Sequence, residues 1–348
     1  MAFVFAAVVF IAAYGLGNNG GFGGSSSTVS SNESAVVSNN AGDLDTAAIS
    51  AKVSPGVVNI NTTVAGGGSA AGTGMVLTPD GEVLTNSHVI GGATDIRVEI
   101  GGSGTTRPAK VLGYSITEDV ALIKVRNVSN LTTVTLGDST RVTVNDRVVA
   151  IGNALGRGGN PAISPGVVAA LNQTITAGDG GGNAEILRNM IQIQAEIQPG
   201  DSGGPLVNTA GEVIGMNTAA ASRYFRQSSA NVAFAIPIND ARAIAEQISQ
   251  GKESASIHIG ERGIIGVSIR SAAGAVVWAV EEGSPAEEAG IQPEDTITGV
   301  NSTTIRSAAE LNAAMSPFQP GDRVTISWTD SAGEERSETV TLVLGPPG

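Results

Sequence analysis

Residues 200–206 read Gly-Asp-Ser-Gly-Gly-Pro-Leu and place one serine, Ser202, among small residues. A serine hydroxyl is a weak nucleophile at neutral pH, so it needs a base to accept its proton and donors to stabilise the oxyanion that forms. Small neighbours let the backbone turn sharply, so the N–H groups of Gly200 and Ser202 can point to one spot beside the hydroxyl. Gly203 and Gly204 leave room for a substrate backbone. A glycine-rich β-turn is the alternative interpretation, but the full seven-residue pattern favours a nucleophile.

The chain contains only two histidines, so few residues are candidates for the base. His88 follows an apolar run that starts at Val83, and this run predicts a buried strand ending at the histidine. His258 lies in a polar connector, where a lone histidine more often has a structural role. We therefore predict that His88 accepts the serine proton.

The carboxylate that orients the histidine is expected at the start of another strand. Asp119 precedes an apolar run that ends at Val125, whereas its neighbour Glu118 is expected at the surface. The order histidine, aspartate, serine along the chain is that of the chymotrypsin-type double barrel, while subtilisins and α/β-hydrolases have other orders. The order therefore predicts an acyl-transfer site on a double barrel.

The surrounding pattern is compatible with such a barrel. Short β-branched runs separated by Gly and Pro recur over residues 57–171 and predict strands. Asp45 is expected to cap a short helix, and residues 239–250 have the apolar spacing of a longer one. In a smaller C-terminal unit, Ser284 and Ser307 each begin a capping box that predicts a helix.

The chain resembles the HtrA (DegP-type) trypsin-like serine proteases with a C-terminal PDZ domain, of the bacterial membrane-anchored kind. The resemblance covers roughly residues 46–345 and implies a mainly β fold, a chymotrypsin-like double β-barrel protease followed by a small α+β PDZ domain. Two positions depart from the family: Asp201, where Asn is usual, and Glu196, where a small residue is usual. The segments that carry the resemblance are Thr85–Val89, Asp119–Val125, Ile151–Gly156, Ile197–Asn208 and Phe234–Pro237.

The resemblance implies a serine endopeptidase in which Ser202 attacks, His88 transfers the proton and Asp119 fixes the histidine tautomer. It also implies an oxyanion hole made by the backbone N–H groups of Gly200, Asp201 and Ser202. The loops 176–183 and 219–229 are expected to border this site, and the first is very glycine-rich and expected to be mobile.

Family members mostly cleave unfolded proteins after small aliphatic residues, in protein quality control and stress response. Glu196 is at the sequence position where trypsin-like enzymes carry the residue at the base of the specificity pocket. If its carboxylate pointed inward, substrates with Lys or Arg before the scissile bond would be favoured. We favour an outward, solvated Glu196, although strand alternation does not decide between the two orientations. The residues expected to bind substrate are Glu196, Ile197, Asn231, Val232 and Ala233.

The PDZ resemblance implies a site that captures peptide C-termini by strand addition. The expected carboxylate-binding loop comprises Ile264, Ile265, Gly266 and Val267. Some of these apolar residues must belong to the core. Two other functions remain open: a chaperone that holds unfolded chains without cutting them, and a PDZ scaffold at the membrane with proteolysis secondary.

Composition excludes several partners. The net charge of −13, from 32 acidic and 19 basic residues, would repel a phosphate backbone, so nucleic acid is not an expected partner. The chain contains no cysteine and two histidines, so we expect no disulfide, metal or other cofactor. The family usually assembles as trimers, which implies a homotrimer here.

The N-terminal residues predict a membrane attachment. Residues 1–16 are apolar but shorter than the ~20 residues of a spanning helix, and the first basic residue is Lys52. We expect part of a transmembrane anchor, with a signal peptide as the alternative. The protease and PDZ domains are then extracytoplasmic in a bacterial envelope, or secreted. The predicted divisions are 1–16 anchor, 17–42 Gly/Ser/Asn-rich flexible linker, 43–251 protease domain, 252–259 linker and 260–346 PDZ domain.

Overall fold

The computed structural model describes residues 44–64, 68–102, 104–177, 185–219, 232–271 and 274–345. The chain divides into two compact units, Met1–Asp43 and Leu44–Gly348. The predicted anchor and flexible linker, most of the two active-site loops and Asn231 lie outside the described residues. Within the described ranges, the helices are all too short or too polar to cross a bilayer.

The first barrel is formed by six antiparallel strands. Strand β5 pairs with both β4 and β6, which closes the ring, and Val and Ile side chains fill it. Its strands are β1 Val57–Val64, β2 Ser69–Val76, β3 Glu82–Thr85, β4 Ala93–Ile100, β5 Thr106–Ser115 and β6 Val120–Val125. The closure confirms the predicted first half of a double barrel.

The second barrel is a closed ring in the order β10-β11-β12-β9-β8-β7. A second apolar core lies inside it, with Val148, Ile193 and Leu206 fully buried. The strands are β7 Arg147–Gly152, β8 Ala162–Ala177, β9 Glu185–Gln194, β10 Pro205–Val207, β11 Val213–Thr218 and β12 Val232–Pro237. Together, the two rings form the predicted chymotrypsin-like arrangement.

A third apolar cluster joins the barrels. Leu84 and Leu122 of the first barrel share this cluster with Met216 of the second and with Ile248 of a C-terminal helix. That helix, α3, covers this seam, and its buried residues have the predicted helical spacing. The helices up to this point are α1 Thr46–Val53, α2 Ser87–Ile90 and α3 Ile238–Ser249, with single 3₁₀ turns at Ser54–Gly56, Ser139–Arg141 and Ala154–Gly156. As predicted, Asp45 caps α1 by accepting a hydrogen bond from the Ala48 N–H at 2.9 Å.

One strand boundary differs from the prediction. The strand expected to end at His88 ends at Thr85, and His88 lies on the short helix α2. Asn86 is the extended residue that separates strand from helix, and its side chain amide donates to the Asp119 carbonyl at 2.9 Å. This long-range contact turns the chain before the histidine.

The C-terminal unit is a small α+β domain with its own core. Five strands are ordered β15-β16-β17-β19-β20, β18 pairs with β17, and β14 pairs with β21. Both predicted capping serines accept backbone hydrogen bonds at helix N-termini, Ser284 from Glu287 and Ser307 from Glu310. The elements are β14 Arg262–Ile264, β15 Val267–Ser271, β16 Ala275–Val280, α4 Pro285–Glu288, β17 Thr296–Val300, β18 Thr303–Thr304, α5 Ala308–Met315, β19 Arg323–Thr329, β20 Glu335–Thr341 and β21 Val343–Gly345.

The connector between the domains is partly ordered into the first barrel. Its last two residues form strand β13, His258–Ile259, which pairs with β5. The His258 ring packs on Tyr114 with centroids 5.1 Å apart. Burial lowers the pKa of His258, against the opposing effect of Glu253, whose Oε1 lies 3.7 Å from Nδ1 of the ring. His258 is therefore a buried junction residue in a segment expected to be a polar linker.

Candidate active site

The histidine and aspartate predicted from chain order are in direct contact. His88 Nδ1 lies 2.9 Å from both Oδ1 and Oδ2 of Asp119. The carboxylate also accepts from the His88 backbone N–H at 3.1 Å, which fixes the histidine main chain as well as its ring. Because a carboxylate only accepts hydrogen bonds, Nδ1 carries the proton and Nε2 is left as the basic nitrogen of the neutral ring.

Asp119 is held at the turn between β5 and β6 in an uncommon backbone conformation. Its φ is +52°, in the left-handed region that Asp tolerates better than most residues. The side chain is 1% exposed and accepts further hydrogen bonds from Ser87 Oγ at 3.1 Å and Thr218 Oγ1 at 3.4 Å. These donors satisfy the hydrogen-bonding capacity of a carboxylate that is buried from water.

Ser202 lies in a turn that leads into β10 and is fixed by backbone hydrogen bonds on both sides. Gly203 N–H donates to the Asn217 carbonyl at 2.9 Å, and Thr73 N–H donates to the Ser202 carbonyl at 2.8 Å. Gly203 is required by space and conformation: its φ is +85°, and a Cβ there would lie 2.1 Å from the Thr73 carbonyl oxygen. The nucleophile turn is therefore clamped between the two barrels.

Two consecutive residues connect the serine to the histidine–aspartate pair. Thr218, at the end of β11, contacts the Asp119 carboxylate, and the next residue, Ala219, donates its N–H to Ser202 Oγ at 2.9 Å. The three predicted triad residues thus belong to one hydrogen-bonded assembly at the seam of the barrels. Such an arrangement has the composition of a nucleophile–base–orienting acid site.

The predicted oxyanion hole has fewer available N–H donors than expected. Asp201 N–H already donates to the Gln198 carbonyl at 3.0 Å, so its inclusion among the donors was wrong. Among the described residues, the N–H groups of Gly200 and Ser202 have no acceptor. Gly200 has φ +100°, and a Cβ there would lie 2.2 Å from the Asn153 carbonyl oxygen, so only glycine fits.

The Asp201 side chain is an unusual feature beside the nucleophile. Its Oδ2 accepts from Gln198 N–H at 2.9 Å, while its Oδ1 is buried against Gly152 without a hydrogen-bond partner among the described residues. Burial raises the pKa of Asp201 to about 6, and the charge of Glu196 acts in the same direction, against the Gln198 N–H. The departure from asparagine noted in the sequence therefore places a titratable group next to Ser202.

Sequence reasoning missed Thr73, which connects the barrels beneath the site. Its Oγ1 donates to the Gly200 carbonyl at 2.7 Å and accepts from Asn153 N–H at 2.8 Å. Its own carbonyl accepts from Thr85 Oγ1 at 2.7 Å. The sequence shows only a threonine between two glycines, and its complete burial becomes visible in the folded structure.

The residues predicted to bind substrate lie in different environments. Val232 and Ala233 extend β12 beyond its pairing with β11, which starts at Phe234, and in the described part of the chain they pair only with β9. Ile197 packs in the core of the second barrel. Glu196 is exposed and accepts from the Gln198 side chain amide at 2.9 Å.

The predicted PDZ loop borders a groove of about 290 Å³ between β15 and α5. Ile264, Gly266 and Val267 line this groove, together with Leu311 and Met315 of the helix. Ile265 also lies at its wall but is 4% exposed and packs in the domain core. Strand β15 is the first strand of its sheet, and no other described strand pairs along its outer edge.

The described residues contain no group of three or more His, Asp or Glu side chains placed to hold a metal ion.

Comparison with known proteins identifies two domains in the chain. Residues 72–216 match the model of the trypsin-like peptidase domain, and residues 263–337 match the PDZ domain. Serine protease PepD of Mycobacterium tuberculosis is 34% identical over 309 residues, covering 84% of this chain and 65% of PepD. Periplasmic serine endoprotease DegP of Escherichia coli K12 is 36% identical over 268 residues, covering 74% of this chain and 54% of DegP. The chain thus spans between half and two thirds of the length of each of these relatives.

Solved structures of HtrA-type proteases superpose on most of this chain. The HtrA-type protease AlgW with a tripeptide superposes with a TM-score of 0.51 at 27% identity, covering 87% of this chain and 98% of AlgW. AlgW with a decapeptide gives 0.50 at 26% identity, covering 87% and 99%. With the triad order, two closed barrels and a PDZ domain in place, the chain belongs to the HtrA family of trypsin-like serine proteases with a PDZ domain.

Proposed function

We propose that this protein is a serine endopeptidase with Ser202 as nucleophile, His88 as general base and Asp119 as the orienting acid. The observation that carries the proposal is the contact of His88 Nδ1 with both Asp119 oxygens, in the assembly that also holds Ser202 Oγ. This pairing leaves Nε2 to take the hydroxyl proton as Oγ attacks the scissile carbonyl carbon.

The later steps of the reaction use the backbone N–H donors of the oxyanion hole and the proton held by His88. The carbonyl oxygen becomes an oxyanion that the N–H groups of Gly200 and Ser202 stabilise, since both lack an acceptor among the described residues. The protonated His88 gives its proton to the leaving amine as the C–N bond breaks, and Asp119 stabilises the imidazolium. Water, deprotonated by His88, hydrolyses the acyl-enzyme and frees Ser202.

The substrates we propose are unfolded polypeptides cleaved after small aliphatic residues. An extended substrate can pair with the part of β12 beyond β11, where Val232 and Ala233 pair only with β9 among the described residues. The exposed, Gln198-bonded Glu196 favours the outward orientation, so peptides with Val, Ala or Leu before the scissile bond should be cut faster than those with Arg. A strong preference for Arg that Glu196→Ala removes would contradict this orientation.

The groove between β15 and α5 is proposed to bind peptide C-termini. Its open strand edge can pair with an extended peptide, and its apolar lining suits an apolar terminal side chain. Binding should require a free C-terminal carboxylate. Peptides identical except for an amidated C-terminus provide the test, and equal affinity for both would contradict strand addition at this loop.

We also propose an extracytoplasmic location, because two matched relatives are named as periplasmic proteases. Attachment through residues 1–16 and assembly into a trimer remain part of this proposal. Membrane fractionation of the full chain against a chain starting at Asp43 tests the first, and sedimentation of the purified protein tests the second. A soluble full chain or a monomer would contradict the corresponding part.

Substitution of the nucleophile tests the enzymatic proposal. Ser202→Ala should lower kcat on a casein-type substrate by about 10⁴–10⁶-fold, and His88→Ala by a similar factor. His258→Ala is the matched control, because this second histidine lies at the domain junction and should leave catalysis unchanged. Near-full activity in Ser202→Ala would refute the assignment.

Labelling with a reactive phosphonate separates the enzyme from the other two functions. A chaperone or a scaffold without proteolysis would bind unfolded chains or C-terminal peptides but would not be labelled at Ser202. Labelling that depends on both Ser202 and His88 would support the endopeptidase.

A further inference from the structure

An exposed tryptophan stands on the outer face of the PDZ sheet. Trp278 is 59% exposed, whereas the other tryptophan of the chain, Trp328, is 3% exposed in the domain core. Trp278 is the extra residue of a bulge between β15 and β16, because Ser268 pairs with Ala279 and Ile269 pairs with Val277. Bulges redirect a side chain, and this one turns a large aromatic ring to the surface.

Arg270 lies directly over that ring. Its guanidinium carbon is 3.8 Å from the centroid of Trp278, which is cation–π distance. Arg270 forms no ion pair with any carboxylate of the described residues, although the chain has an excess of acidic groups. The ring covers one face of the guanidinium, and the N–H groups in its plane stay oriented for an acceptor.

The pair lies beside the open edge of the proposed peptide groove. Val267 and Ile269 pack toward the domain core, while Ser268 and Arg270 of the same strand are exposed on the opposite face. A peptide antiparallel to β15 with its terminal residue opposite Val267 places its fourth-last residue opposite Arg270. Side chains opposite each other on neighbouring strands point to the same face, so that peptide side chain lies beside Arg270.

We propose that Arg270 and Trp278 form a specificity subsite that binds an acidic side chain three positions before the C-terminal residue of a peptide in the PDZ groove. The inference rests on the proposed peptide-binding function of that groove. Glutamate has the reach and the planar carboxylate that suit a guanidinium held flat against a ring. The terminal apolar residue then selects the groove, and the acidic residue selects among apolar-ended peptides.

Direct binding to the full chain carrying Ser202→Ala tests the subsite without cleavage of the ligand. Two fluorescein-labelled decapeptides ending in Val would differ only in Glu or Gln at the fourth-last position, and anisotropy would give their Kd values. We expect the Glu peptide to bind about three- to tenfold more tightly, with the difference shrinking at high salt. Arg270→Gln should abolish the difference while leaving the affinity for the Gln peptide unchanged.

Arg323→Gln is the matched control, because Arg323 is an exposed arginine of the same sheet on β19, away from the open edge. It should retain the preference for Glu. Trp278→Ala should weaken the preference for Glu without changing the affinity for the Gln peptide. In the protein that retains Trp278, binding of the Glu peptide should change the fluorescence intensity of this exposed tryptophan.

The outcomes separate the subsite from the groove. If both peptides bind equally and Arg270→Gln has no effect, the subsite is refuted while the groove remains. If an aromatic residue at the fourth-last position binds more tightly than Glu, the ring alone selects the ligand and the acidic specificity is wrong. If neither peptide binds, or amidated peptides bind equally, the proposed groove fails and the subsite falls with it.

Discussion

Replacing Asp201 with asparagine should stabilise the protein at pH 8 and have little effect at pH 4. The carboxylate is 5% exposed, and its Oδ1 has no hydrogen-bond partner among the described residues. Burial of this charged form raises the pKa of Asp201 from 3.8 to about 6. Asparagine has nearly the same shape, keeps an acceptor for Gln198 N–H and carries no charge.

The sign and size of this effect on the free energy of unfolding follow from the linkage between folding and proton binding. A folded pKa above the unfolded value means that the folded protein binds the proton more tightly, so stability is fully present below the unfolded pKa and is lost as pH rises through the folded pKa. The difference between about 6 and 3.8 is about 2.2 pKa units, and at 1.36 kcal/mol for each unit the full effect is about 3 kcal/mol. Most of it, about 2 to 3 kcal/mol, develops between pH 4 and pH 8.

The assay is urea denaturation at several pH values between 4 and 8, in a Ser202→Ala background that prevents self-digestion. The quantity of interest is the free energy of unfolding of Asp201→Asn minus that of the parent, because all other titrating groups cancel. Asp322→Asn is the matched control: Asp322 also accepts from a glutamine N–H three residues before it, at 2.8 Å, but is exposed. The stabilisation expected at pH 8 for Asp201→Asn should be absent from Asp322→Asn, because the side chain of Asp322 is exposed to water.

A difference between Asp201→Asn and the parent that stays constant from pH 4 to pH 8 would refute the reasoning. It would mean that Oδ1 is solvated or bonded in solution and that burial does not determine the titration of this group. A difference that grows toward low pH would reverse the sign and equally contradict a raised pKa.

Other perturbations test the remaining contacts. Gly200→Ala should lower kcat at least a hundredfold, because its Cβ would displace the Asn153 carbonyl and the adjacent oxyanion donor; a rate within threefold of the parent in an initial-rate assay would contradict this. Thr73→Val should lower the free energy of unfolding by about 2 kcal/mol in denaturant titrations, since it leaves the Gly200 carbonyl and Asn153 N–H unpaired, whereas Thr73→Ser should retain most of it. Because burial lowers the pKa of His258, its contribution to stability is present above the unfolded pKa and lost as pH falls below about 6.5; His258→Phe should remove this part of the pH dependence, and an unchanged profile would refute it. A peptide with an apolar C-terminus should raise the initial rate on a separate fluorogenic substrate, and deletion of 260–348 should abolish that response while basal cleavage remains; an equal response of the truncated chain would exclude the PDZ domain as its origin.

The sequence alone determined the features whose signals are local. The turn around Ser202 is recognisable because small residues must surround the nucleophile in a tight turn, and the order of His88, Asp119 and Ser202 then selects one architecture. Likewise, Asp45 and the PDZ serines were identified as helix caps because a cap bonds to an N–H only three residues away. These interactions do not depend on which distant segment lies beside them.

Only the tertiary structure decided the features made by distant segments. Thr73 bonds to a carbonyl 127 residues away, and the buried Asp201 packs against Gly152 at the end of β7. No local pattern encodes either contact, so the clamp beneath the nucleophile and the raised pKa beside it were not predictable. Asp201 N–H was assigned to the oxyanion hole for the same reason, since the direction of one peptide group depends on how the folded turn places the Gln198 carbonyl.

The pairing of Arg270 with Trp278 illustrates the same limit. Their contact depends on a one-residue bulge that shifts the register between Ser268 and Ile269. A one-residue change in register moves a side chain to the other face of a sheet. The residue types were therefore visible in the sequence, while the surface they form beside the peptide edge is a property of the folded sheet alone.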